Sequence, residues 1–147
     1  MKPGTELDGL VCEVVLGWER ITAYPAAWEK LRGAPGLARL YDGPWWRPVE
    51  LTFDELPCNG VAPREVSTDD GDFVRHVVEA AFAKGFTYET GRSMHGWVAR
   101  FDRDGIGSIA FGKTLAEAGC FAVLLAYGRD VEQDGDERMK ARHHAAD

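Results

Sequence analysis

The sequence predicts an α+β fold, and three patterns within its 147 residues carry that prediction. Leu7, Leu10, Val11, Val14 and Val15 recur three and four apart, which puts five apolar side chains on one helical face. Phe86 to Thr90, Trp97 to Phe101 and Ile106 to Phe111 alternate as half-buried strands do, with glycine-bearing turns between them. Helix-start signatures flank these strands, Ser67-Thr68-Asp69-Asp70 before them and Thr114-Leu115-Ala116-Glu117 after. The predicted order is an N-terminal helix, then helix, three-stranded antiparallel meander and helix.

Each element has its own local warrant. Helix one starts near Thr5, a capping residue with Asp8 at the capping-box position, and stops at Gly17, which can take a left-handed turn. From Trp18 to Val66 six prolines break helix and ladder alike, and this stretch reads as irregular. Within it, Pro25 to Leu31 predicts a short helix closed at Gly33, and Trp45-Trp46-Arg47 a short edge strand bounded by Pro44 and Pro48. Helix two runs to about Lys84 with Phe73, Val77, Val78, Ala81 and Phe82 as its buried stripe, and Gly85 ends it. Turns at Gly91 to Gly96 and Asp102 to Gly105 join the strands. Helix three is apolar on nearly every side through Tyr127 and ends at Gly128. Residues 1–128 thus form the domain, and Arg129 to Asp147, with mixed charges and no apolar stripe, predicts a mobile tail.

Composition narrows the function classes. With 24 acidic against 17 basic residues the net charge is -7, which disfavours nucleic acid and anionic membrane as general partners. No basic start leads into an apolar run, and no stretch approaches the roughly twenty apolar residues that span a bilayer, so the expected location is the cytoplasm. Cys12, Cys58 and Cys120 are odd in number and far apart, which suits free thiols and lacks the paired spacing of a zinc site. No cofactor is expected.

The sharpest motif is Gly107-Ser108-Ile109-Ala110-Phe111-Gly112-Lys113-Thr114, which has P-loop spacing and precedes a helix. Its chemistry would use loop N–H groups around phosphates, Lys113 on their outer oxygens and Thr114 on magnesium. The context points elsewhere. The residues before it include Asp102-Arg103-Asp104-Gly105, a hairpin turn in place of a buried strand, and Ser-Ile-Ala-Phe itself reads as strand. Strand, turn and capped helix is the plainer reading.

Candidate ligand-binding residues are Trp18 with Arg20, Trp45 and Trp46 with Arg47, Arg64, and on the hairpins Arg92 and Arg100. Indole faces beside guanidinium groups suit a nucleobase, a phosphate or a protein partner; the alternative is that the tryptophans close the edge of the core. Arg100 alternates with Ala99 and Phe101 and so points away from their face. His76 sits beside the stripe of helix two and reads as structural, His95 lies in a turn, and His143 with His144 lack a third metal ligand nearby.

The helix, three strands and helix from Ser67 to Tyr127 follow the order of double-stranded RNA-binding domains, without the lysine-rich start of the last helix that RNA recognition needs. The chain more closely resembles the phage ABA sandwich proteins. The resemblance lies in Leu7-Asp8-Gly9-Leu10-Val11-Cys12-Glu13-Val14-Val15-Leu16-Gly17-Trp18, Trp45-Trp46-Arg47-Pro48, Ser67-Thr68-Asp69 and an apolar last helix with Ala118 and Cys120; Tyr24 to Asp42 departs as an insertion. It implies an α/β/α sandwich and a phage or prophage setting, with no catalytic residue. The function so expected is that of a non-enzymatic accessory protein, binding a host protein or a nucleotide-like signal in an anti-defence role and forming a homo-oligomer through its amphipathic helices. The rivals are a P-loop enzyme and a nucleic-acid module.

Overall fold

A computed structural model describes residues 1–21, 45–48, 63–134 and 140–145. It is a mixed α+β structure with two antiparallel sheets. Helix α1 (Thr5–Val14) buries Leu7, Val11 and Cys12, and Gly17 takes a φ of 76°, the left-handed stop its position predicts. Its start differs from expectation. Gly4 is the N-cap, Thr5 is already helical, and Asp8 turns inward instead of capping its own helix. The Asp8 carboxylate accepts the Ser67 N–H at 2.7 Å, while the Gly4 N–H donates to Ser67 Oγ at 2.9 Å. These bonds tie the first turn of α1 to the approach of the next helix.

Strands β1 (Glu19–Ile21) and β2 (Trp45–Arg47) form a two-stranded antiparallel ribbon. The tryptophan segment is a strand as its flanking prolines suggest; three-residue β1 is too short for alternation to reveal. The helix expected over Pro25 to Leu31 and the insertion Tyr24 to Asp42 lie outside the described residues.

Helix α2 spans residues 70–83 in three stretches: α-helical Asp70–Asp72, π-helical Phe73–Val78 and α-helical Glu79–Ala83. Asp69 caps it, its side chain accepting the Asp72 N–H at 3.0 Å. Phe73, Val77, Val78 and Ala81 are buried as the stripe predicts, but Phe82 is 51% exposed. On a 3.6-residue period Phe82 lies nine residues and about 180° from Phe73, at the margin of the stripe, where the helix face leaves the core.

The main sheet has the order β3-β4-β5-β6, all antiparallel, from β3 (Thr87–Ser93), β4 (Gly96–Arg103), β5 (Ile106–Gly112) and β6 (Arg142–Ala145). The β4–β5 turn is the pair Asp104-Gly105 with φ of 55° and 78°, both positive as a type I′ hairpin requires. The sheet is wider than the predicted meander. Residues read as a mobile tail return to it, and Arg142–Ala145 pair with Ile106 to Ile109 as a fourth strand. Four residues with two adjacent histidines carry too little alternation to announce a strand. Gln133 fixes the return path, with Nε2 donating to the Phe111 carbonyl at 2.6 Å and Oε1 accepting the Ala141 N–H at 3.0 Å.

Cross-strand register sorts the sheet into two faces. Tyr88, Phe101 and Ser108 share one, with Ala99 and Ala110, and these join Leu7 and Val11 of α1, Phe73 and Val77 of α2, and Phe121 in a single core. All described helices therefore lie on that face. The second helical layer of an α/β/α sandwich is not among the described residues. Helix α3 (Leu115–Ala126) is the centre of the core, buried at every position from Ala118 to Leu124. Ser108 Oγ donates to the Ala122 carbonyl. A Cβ at Gly119 would fall 2.1 Å from Phe73 Cζ, so the α2 ring lies on bare α3 backbone.

Two predictions follow from this packing. Gly119→Ala is expected to cost about 1–3 kcal/mol, the range for overpacking a close-packed core, as read from urea denaturation midpoints. Burial raises the Asp8 carboxyl above its ordinary value of 3.8, against the hydrogen bonds from Ser67. The folded state then retains a proton that the unfolded chain releases, so this group's contribution to stability falls as pH rises from 3.8 through the folded pKa. Asp8→Asn keeps an acceptor for Ser67 and should flatten that slope, with a more stable protein at neutral pH in denaturation curves taken across pH.

Candidate functional site

Of the residues singled out from the sequence, Trp18 and Trp46 meet on α1 with Cys12 as a second small core. Gly9 is the seat: a Cβ there would lie 1.9 Å from Trp46 Cζ2, so the indole rests on helix backbone. Trp46 is fully buried and its Nε1 donates to Glu13 Oε1 at 2.8 Å. Trp18, 6% exposed, packs with it and Cys12. Burial pushes the Cys12 thiol up to about 11, which leaves it protonated and a poor nucleophile at neutral pH. Cys120 is likewise buried and raised, and Cys58 lies outside the described residues.

Three arginines surround this core at separate places. Arg20, paired across the ribbon with Trp46, holds its guanidinium carbon 5.5 Å from the indole centre, with Nη1 3.9 Å from Glu6. Arg64 lies 5.4 Å over Trp18, its Nη1 3.3 Å from His76 Nε2. Arg47, paired with Glu19 in register and in a salt bridge, occupies the other face of the ribbon. Trp45 pairs with Ile21 through backbone, and its side chain lies outside the described part. The sequence singled out the cations and missed their acids: Glu6, Glu13 and Glu19 complete the cluster. The neighbouring Glu19-Arg20 pair was the available signal, since a strand sends the two to opposite faces.

Arg92 and Arg100 are elsewhere. Arg92 of β3 stacks 5.1 Å over Trp97 on the helix-bearing face of the sheet. Arg100 faces the opposite way, as its alternation predicts, with Nη2 3.4 Å from Asp102 and Nη1 3.9 Å from Glu89. It borders a shallow hollow of about 140 Å³ with Gly91 and Val98. A further hollow of about 240 Å³ lies between Phe86, Arg103, Ile106, Ala126 and His143, where Arg103 stacks 4.2 Å over Phe86 and donates to the Lys84 carbonyl.

The P-loop motif does not form a loop. Ile106–Gly112 is strand β5, so its backbone is in ladders with β4 and β6 and does not encircle an anion. Thr114 Oγ1 accepts the Glu117 N–H at 3.1 Å, and Glu117 Oε2 accepts the Lys113 N–H at 3.0 Å, a capping arrangement that spends the start of α3 on its own helix. His76 is half-buried beside Arg64, and His95 is exposed in the β3–β4 turn. Among the described residues no three His, Cys, Asp or Glu side chains gather as a metal site, and no helix is long and apolar enough to cross a membrane.

Fold and cluster define a mixed α+β protein in which an arginine-rimmed, tryptophan-centred ribbon is docked on the first helix. No protein-family model, curated protein or solved structure matches the chain.

The ribbon's seat is directly testable. Gly9→Ala is expected to lift Trp46 off α1, with a red shift in tryptophan emission and a stability loss of about 1–3 kcal/mol, the overpacking range. Unchanged emission and stability would show that the ring does not depend on this contact.

Proposed function

We propose that the chain is a non-catalytic binding protein for a small phosphate-bearing, nucleotide-like ligand, held at the arginine-capped ribbon. The observation that carries this reading is the state of Arg20. One face of its guanidinium is braced on Trp46, yet the side chain remains 45% exposed. Its carboxylate neighbour Glu6 stands at 3.9 Å, beyond hydrogen-bond reach, so the planar fork of donors is positioned without being consumed. Such a fork can grip a phosphate in bidentate fashion, and its outer face can stack on a base.

The indoles have a supporting part in this reading. Trp46 and Trp18 are too buried to receive a base, so stacking would fall to the guanidinium they hold in place. The net charge of -7 favours a small ligand over a nucleic acid, since a polyanion meets repulsion over a wider area than one cation offsets. In the phage or prophage setting implied by the resemblance, a ligand of this chemistry would be a host signal and the protein its sponge.

Calorimetry with cyclic mono- and dinucleotides, beside mass spectrometry of small molecules released from the natively purified protein, tests the reading. Binding by the wild type that weakens about tenfold or more in Arg20→Ala, with Lys113→Ala unaffected, is the expected result for loss of a charge-assisted bidentate contact. No heat and no released ligand, or binding indifferent to Arg20→Ala, would overturn it.

A further inference from the structure

We propose that the outer edge of β3 is a self-association surface, where two copies of the chain join their four-stranded sheets into one continuous antiparallel sheet. This inference is independent of the ligand reading at Arg20. Among the described residues the seven-residue β3 pairs with β4 alone, and Thr87, Glu89, Thr90, Arg92 and Ser93 are exposed along it. Such an edge presents backbone N–H and C=O groups without ladder partners, and sheets commonly blunt it with proline, lysine or a bulge. β3 uses none of these three, and the charges it does carry, Glu89 and Arg92, are one of each sign. Thr-Tyr-Glu-Thr-Gly-Arg-Ser contains neither proline nor lysine, and its register with β4 runs uninterrupted from Thr87↔Asp102 to Ser93↔Gly96. The opposite edge, β6, is only four residues long.

The occupant is a second copy because β3 is complementary to itself. A two-fold axis through Thr90 sets Thr90 opposite its own copy, Tyr88 opposite Arg92, Glu89 opposite Gly91 and Thr87 opposite Ser93. Every residue of the strand is then paired, and no like charges face each other. An axis at Glu89 would oppose two carboxylates, and one at Gly91 would oppose two glycines; each also shortens the ladder. The Thr90 register extends a stack already present in one copy. The Arg92 guanidinium lies 5.1 Å from the Trp97 ring centre, and Tyr88 of the second copy would close its other side, with the Tyr88 ring itself packed on Phe73 and Phe101.

Sedimentation of the full 16.2 kDa chain over a dilution series reads this out, with a concentration-dependent shift to twice that mass expected. Position 91 then tests the register. A Cβ at Gly91 meets Val98 Cγ1 at 3.7 Å, an ordinary contact, so both Gly91→Lys and Gly91→Glu fit the single copy. Facing Glu89 of the second copy, Gly91→Lys is expected to tighten the dimer and Gly91→Glu to loosen it. The spread should reach about tenfold in dissociation constant, because each change acts twice across the axis. Thr90→Lys, which sets like charges on the axis, should also loosen it. A wild type that stays at 16.2 kDa throughout, or a dimer whose constant is the same in all three variants, overturns the proposal.

Discussion

The close seating of α3 between the sheet and α2 is the constraint on which the rest depends. Its one side lies against β5, where a Cβ at Gly112 would come within 2.7 Å of the Ala118 nitrogen, and its other side receives the Phe73 ring at Gly119. Small residues make both approaches possible. Ala116, Ala118, Gly119, Cys120 and Ala122 give a helix thin enough to be enclosed, and the Ser108 hydroxyl fixes it by bonding the Ala122 carbonyl. Asp70 Oδ1 accepts the Ala116 N–H at 2.8 Å, so the first turn of α2 also fixes the start of α3. One helix therefore sets where both the sheet and α2 must stand.

The ribbon depends on this arrangement at one remove. Leu7 and Val11 of α1 belong to the main core, while Cys12 and Gly9 belong to the small one, so α1 carries the ribbon on one side and joins the core on the other. Ser67 holds α1 to the chain entering α2 through Asp8 and Gly4, and Cys120 Sγ donates to the Val66 carbonyl at 3.2 Å from α3. Packed side chains and these hydrogen bonds thus connect α3 to the helix on which Trp46 is seated.

What was legible in the sequence was local. The capping of α3 by Thr114 and Glu117, the Asp104-Gly105 hairpin and the stripe from Phe73 to Ala81 are each written within a few residues, and each is present. What was not legible depends on distant partners. β1 and β6 are three and four residues long and exist only because β2 and β5 offer edges. Asp8 has the spacing of a capping residue, and only the arrival of Ser67 shows why it faces inward. At the candidate site Trp18, Arg20, Trp46 and Arg64 lie around one small core. Their burial, and the separation of Arg47, Arg92 and Arg100 from them, follow from strand register and helix packing, which composition does not encode.

The acidic surplus also has a structural meaning at the arginines. Arg47 lies against Glu19, Arg100 between Glu89 and Asp102, and Arg75 beside Asp72, so these guanidinium groups face carboxylates of their own chain. An anionic ligand at those positions must displace an existing carboxylate and meet its repulsion as well. Where such a pair is open to water, as at Arg75, it adds little stability, about 1 kcal/mol or less, and all of these pairs dilute the positive potential that a diffusing anion would follow. Arg20 also has a carboxylate, Glu6, at 3.9 Å, but its guanidinium is in addition braced on an aromatic ring, which orients the cation without a hydrogen bond to that acid. In a chain of net charge -7, the proposed recognition of an anion would therefore have to come from short-range geometry at a braced guanidinium, not from long-range attraction.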